Sequence, residues 1–270
     1  MTTRKWAGFA RRSASMAGLL AGLSAVACSI RSNGPHWIET HGRAQVQRIA
    51  GGPMGLLAIG TNGLIYSYPE FGSVWHEWNG RLHPRVIVGS RHGLAYADQE
   101  GRIGKGDHGR IDNPEWNLGP AVTALATDEE GYMLYAVTDG RISQLLESGS
   151  VAGPCTELRA VSIAVAQGQL WVSDGQRVYQ ASNAGCKPAP GAPTKVVHLA
   201  GLGTRIFAVD EAGDVYRLQP KTGWQQLPRP QKFRPDQMPH LHPATDVAVT
   251  STAAWVVDDE QNVFVLSESE

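Results

Sequence analysis

Ile206-Phe207-Ala208-Val209-Asp210-Glu211-Ala212-Gly213-Asp214-Val215-Tyr216 runs apolar, turns through an acidic, glycine-bearing segment, and resumes with a β-branched residue. Apolar and aromatic residues on both sides of an Asp-to-Gly turn are the composition of a β-hairpin. The same arrangement occurs six times. Its branched residues are Ile65, Ile103, Ile142, Val178, Val215 and Val263, at intervals of 38, 39, 36, 37 and 48 residues. Strands and turns recurring at this period, with no helical stretch between them, predict an all-β fold: a six-bladed β-propeller of four-stranded blades.

Within each repeat the strands can be lettered A to D from the axis outward. Short apolar A strands are expected around Val46, Val86, Val122, Val161, Val196 and Val247. The B strands carry Tyr96, Tyr135, Trp171, Phe207 and Trp255, with Ala58 as the exception, and these rings are expected to form one column. Each ring can cover roughly 150–250 Å² of apolar surface between neighbouring sheets. Asn62-Gly63, Asp139-Gly140 and Asp174-Gly175 predict type I′ hairpins, in which both central residues adopt positive φ. Tryptophans at 75, 78, 116 and 224 mark D strands. The sixth repeat ends after its third strand. Residues Pro35 to Thr40 resemble Gly223 to Leu227, so an N-terminal strand containing Trp37 is expected to complete the last blade and close the ring.

The 270 residues are 42% hydrophobic and 18% charged, with 31 glycines and 16 prolines, which suits a turn-rich domain with a sizeable core. The start reads differently. Residues 1–12 are basic, and 15 uncharged residues follow before Cys28. This predicts a lipoprotein-type signal peptide over 1–27, a short tether over 28–35, and the propeller over 36–270. The exit Ser24-Ala25-Val26-Ala27-Cys28 resembles the bacterial lipobox, which makes Cys28 the lipid attachment site; Ala25 and Ala27 also fit an ordinary secretory cut. The expected location is the cell envelope, lipid-anchored on the outer membrane facing the periplasm, or on the cell surface. Losing the signal moves the net charge from −1 to −5, because it removes four cations and no acid. A mildly acidic mature chain argues against nucleic acid as a partner. Cys155 and Cys186 then remain, either as two thiols or as a disulfide if their Cα atoms come within about 7 Å.

The interval of 48 comes from a proline-rich segment between Pro228 and Pro243. It offers Lys232, Phe233, Arg234, Met238, His240 and His242 as a partner-contact loop on a rigid scaffold. His240 and His242, with Asp236 or Asp246 as a third ligand, are too few to specify a metal site, so neither a metal nor another cofactor is expected. The ring of acidic B-to-C turns is expected to be scaffold, since Asp and Asn are what such turns require. No G-x-S-x-G elbow or phosphate loop is present. The alternative is a propeller hydrolase or lactonase with an axial metal, for which Asp246 is the one convincing inner-strand carboxylate.

The segments Ile206–Asp210 with Gly213–Tyr216, and Trp75-His-Glu-Trp78-Asn-Gly-Arg-Leu leading to Val86-Ile87-Val88-Gly89, resemble tectonin-type repeats over about residues 36–267. That resemblance implies a six-bladed, non-catalytic binding module, often for carbohydrate or lipopolysaccharide. The expected partners are the membrane, through the N-terminal lipid, and an envelope protein or a cell-surface glycan.

Overall fold

The computed structural model describes residues 35–40, 45–69, 75–78, 83–107, 110–111, 114–182, 185–232 and 240–267. Cys28 and the signal lie outside these. Regular structure among the described residues is entirely β, arranged as six blades around one axis. The inner strands of blades 1 to 6 are Val46–Gly52, Pro84–Ser90, Val122–Thr127, Ser162–Ala166, Val196–Leu202 and Ala244–Val249. Each pairs antiparallel with a second strand, which pairs with a third, and the outer strands follow the third in chain order, two short ones in blade 2, Arg110–Ile111 and Trp116–Asn117, both on Arg102–Asp107.

Blade 6 is the exception, as the sequence predicts. Its outer strand is His36–Glu39, paired antiparallel with Val263–Ser267 so that Trp37 faces Leu266 and Ile38 faces Val265. Trp37 is 7% exposed, packs against Phe207, Leu227 and Phe264, and donates its indole N–H to the Pro228 carbonyl at 2.7 Å. One residue therefore fastens the last blade to the fifth.

Sheets radiating from an axis leave wedge-shaped gaps, narrow inside and wide outside. Side chains follow the taper. Tyr135, Trp171, Phe207 and Trp255 on second strands pair with Ala126, Ala164, Ala200 and Ala248 on inner strands. Tyr96 departs from the expected column: it pairs with Ile87, one residue off the register of the other rings, and so lies on the opposite face of its sheet. It is fully buried there, over Gly104, where a Cβ would come within 2.6 Å of the Tyr96 hydroxyl. Closest to the axis even alanine is too large at one point. A Cβ on Gly51 would overlap the Val249 carbonyl of the neighbouring blade.

Second-to-third-strand turns share one construction. Asp98, Asp174, Asp210 and Asp258 each accept two backbone N–H groups of their own turn on Oδ1. The other oxygen binds a side chain: Arg102, Tyr179, Tyr216 and Asn262 respectively. The acidic turns are thus self-satisfied scaffold. Only Asp139-Gly140 has both central residues at positive φ, so it alone fits the expected I′ turn. Gly63 closes a longer turn, with its N–H on the Gly60 carbonyl, and Asp174-Gly175 has positive φ at the glycine alone. In the matching place of blade 6, Gln261 takes φ +67° without being glycine.

Cys155 and Cys186 are joined as a disulfide, with Cα atoms 5.4 Å apart. Cys186 is in the outer strand of blade 4, Gly185–Pro188, whereas Cys155 has left the outer strand of blade 3, Gly149–Ala152, and is turning inward. That inward turn is what brings the two within reach.

Trp37→Ala should lower stability by about 3–5 kcal/mol, since it opens a cavity at the seam where the N-terminal strand joins the last blade; a denaturant midpoint unchanged from wild type would contradict that seam. The turns predict a pH response at both extremes. Burial, with the charge and hydrogen bond of Asp210, pushes Tyr216 up to about 12. Its contribution is complete below the unfolded value of about 10 and is lost as pH rises from there towards 12. Burial also pushes Asp174 up, but the N–H groups of Arg177 and Gln176 and the Tyr179 hydroxyl more than offset it and hold the carboxyl below its ordinary value. Its contribution is present above about pH 4 and is lost as pH falls through the folded value. Thermal midpoints of Tyr216→Phe should therefore fall less steeply than wild type on the alkaline side, and those of Asp174→Asn less steeply on the acid side.

Candidate functional site

Inner strands enter from the face that carries the second-to-third-strand turns and the loops from each outer strand to the next inner strand. In blades 1, 2, 3, 5 and 6 the inner strand bulges one residue after it starts. A bulge increases local twist and re-aims the side chains beyond it. The first residues past it are Arg48, Val86, Ala124, His198 and Asp246. Ser162 stands at the same level in blade 4, because its partner Ser173 pairs with Val178, the branched residue of that repeat. These six residues line an axial cavity of about 350 Å³.

The ring they form is divided. Ser162, His198, Asp246 and Arg48 make a contiguous polar arc on blades 4, 5, 6 and 1; Val86 and Ala124 make the apolar remainder. Asp246 is buried, accepts the Ile49 N–H on Oδ2 at 3.0 Å and the Val247 N–H on Oδ1 at 2.9 Å, and has His198 Nδ1 at 3.6 Å. Ser162 Oγ accepts the Leu199 N–H at 2.9 Å. Asp246 is the one carboxylate among the described lining residues, and both of its oxygens already hold backbone amides. Each oxygen keeps a second lone pair beyond its amide.

The same face carries the irregular interval, which is a β-hairpin: Gln231 pairs with Leu241 and Lys232 with His240. Its base is tied down. Arg229 donates to Asp214 at 2.6 Å, the His242 N–H reaches the Pro230 carbonyl, and the Asp259 N–H reaches the Pro243 carbonyl. His242 is buried and faces Asp259, Nδ1 to Oδ1 3.1 Å, with Asp258 at 3.9 Å. The histidine pair therefore does not gather Asp246, which sits on the axis. His242 is an anchor of the hairpin base, and Leu241 beside it is 52% exposed. Phe233, Arg234, Asp236 and Met238 lie outside the described residues, and Lys232 and His240 are placed by their backbone pairing.

Among the six ring residues the sequence singles out Asp246. Arg48 and Ser162 were missed. Their signal was positional: both precede the apolar core of an inner strand by one residue, as Asp246 does.

No protein-family model matches the chain, and no curated protein matches it in sequence. Solved structures do resemble it. Virginiamycin B lyase from Staphylococcus aureus aligns with TM-score 0.54 and 14% identity over 84% of this chain and 81% of that one. PorZ, a bacterial surface component of the type-IX secretion system of Porphyromonas gingivalis, aligns with TM-score 0.53 and 13% identity over 87% of this chain and 39% of that one. A protein of unknown function from Bacteroides thetaiotaomicron aligns with TM-score 0.63 and 11% identity over 86% of this chain and 76% of that one. At these identities the likeness is one of fold: the chain is a β-propeller.

Proposed function

We propose that the chain is a lipid-anchored protein of the bacterial cell envelope whose propeller binds an envelope protein or a cell-surface glycan without catalysing a reaction. The observation that carries the binding role is the hairpin after Pro230. It fills the one long interval of the repeat, its base is fixed by Arg229, His242 and Asp259, and it stands on the face from which the inner strands enter. Rigidly rooted insertions on a repeating scaffold are where recognition resides. The exposed Leu241 gives the hairpin an apolar contact point, and the segment it belongs to carries the basic Lys232 and Arg234 in sequence.

The anchoring role rests on the basic and apolar N-terminal segment ending in Cys28. Ring closure adds a distance constraint. The closing strand starts at His36, eight positions past Cys28, and that length of chain extends at most about 30 Å. A lipid on Cys28 would keep the propeller close to the bilayer and limit its reach to partners near that membrane.

Cys28→Ser should abolish metabolic labelling with a fatty acid and move the protein from the membrane to the soluble fraction; an intact N-terminus upstream of Cys28 in the mature protein would contradict the anchor. Replacing residues 232–240 by two glycines should abolish in-cell cross-links to the partner while the circular dichroism spectrum stays that of wild type. Cross-links that survive the replacement would remove the hairpin from the binding role.

A further inference from the structure

An innermost strand has no neighbour on its axial edge, so the N–H groups turned that way must find acceptors elsewhere. Two blades solve this with a side chain from the blade before. Asp246 of blade 6 receives the Ile49 N–H of blade 1, and Ser162 of blade 4 receives the Leu199 N–H of blade 5. In blade 6, Val247 turns its N–H to the second oxygen of Asp246. By register the equivalent N–H groups of blades 2, 3 and 4 belong to Ile87, Leu125 and Ile163. The residues standing where Asp246 and Ser162 stand are here Arg48, Val86 and Ala124, and none of these side chains contains an acceptor.

Arg48 is half-buried on the cavity wall, and its guanidinium has no hydrogen bond or ion pair with any described residue. Around this arc the cavity thus presents three amide donors and one unanswered cation. The sole lining carboxylate, across the ring, is already occupied by amides. Carbonyls of the same inner-strand residues turn to the same edge, displaced along the strand by less than one residue's rise, so the guanidinium of Arg48 is what tips the site towards an anion. Deeper in the cavity is a second unanswered group, the buried Thr127 hydroxyl. Guanidinium plus convergent backbone N–H groups is an oxyanion-binding arrangement.

We infer that the axial cavity binds the carboxylate or phosphate of a small ligand, held by Arg48 and the N–H groups of Ile87, Leu125 and Ile163. Val86 and Ala124, on the same arc, offer an apolar wall to the body of such a ligand, and about 350 Å³ limits it to a small molecule. This assignment deepens the binding role proposed for the propeller and rests on it.

Isothermal titration calorimetry of the full chain at constant ionic strength, with sodium benzoate, sodium phosphate and neutral benzamide, tests it. One saturable site is expected for benzoate, phosphate or both, and none for benzamide. Benzoate alone identifies an organic carboxylate as the source, and phosphate alone identifies a phosphate group. Arg48→Gln should weaken binding at least tenfold. Ala124→Ser, which sets a hydroxyl before the Ile163 N–H as Ser162 stands before Leu199, should also weaken it without disturbing the fold. Absence of saturable binding by either anion, or binding unchanged in Arg48→Gln, overturns the inference. If the partner cross-links persist while neither anion binds, the axial site alone fails; if anions bind and no partner is cross-linked, the partner-binding role alone fails.

Discussion

Every blade of this ring ends at the axis in a strand edge with nothing to pair with, and much of the molecule's interior is arranged around that edge. At the axis six edges converge on one cavity, and an N–H turned that way that finds no acceptor in a neighbouring blade is left to whatever fills the cavity. In blade 6 a bulge at the start of the inner strand turns Asp246 towards the axis, and in blade 4 Ser162 reaches the same level without one, so that each can serve the next blade. The same convergence explains why inner strands are built of alanine, valine and glycine while the bulky rings sit one strand further out.

Ring closure is the second consequence of that geometry. A radial array is stable only if its first and last members meet, and here the meeting is made by a strand borrowed from the other end of the chain. Trp37 does more than fill the seam, because its indole N–H reaches the segment that leads into the hairpin. Closure, hairpin base and the start of the last inner strand are therefore adjacent, and the inserted hairpin is supported by the most constrained part of the ring.

Much of this was legible before any coordinates. The period of the branched residues, the missing sixth outer strand and its Trp37 replacement all follow from counting, and the role of Asp98, Asp174, Asp210 and Asp258 follows from turn chemistry. What was not legible depends on pairing register. Tyr96 has the composition of its column but not its alignment, and only the pairing with Ile87 reveals the shift. Turn type was misjudged at Asn62-Gly63 because a three-residue loop and a two-residue loop share that dipeptide. The axial ring depends on register too: Arg48 and Ser162 share a level with Asp246 only once the bulge before Arg48 and the regular pairing of Ser162 with Ser173 are known.

The division of the axial ring into answered and unanswered amides is the point on which the account turns. Site-resolved hydrogen exchange of the six equivalent inner-strand amides measures it directly. Ile49, Leu199 and Val247 should exchange slowly, held by Asp246 and Ser162, whereas Ile87, Leu125 and Ile163 should exchange at least tenfold faster and slow when an oxyanion is added. Uniform protection at all six, indifferent to added anion, would contradict it.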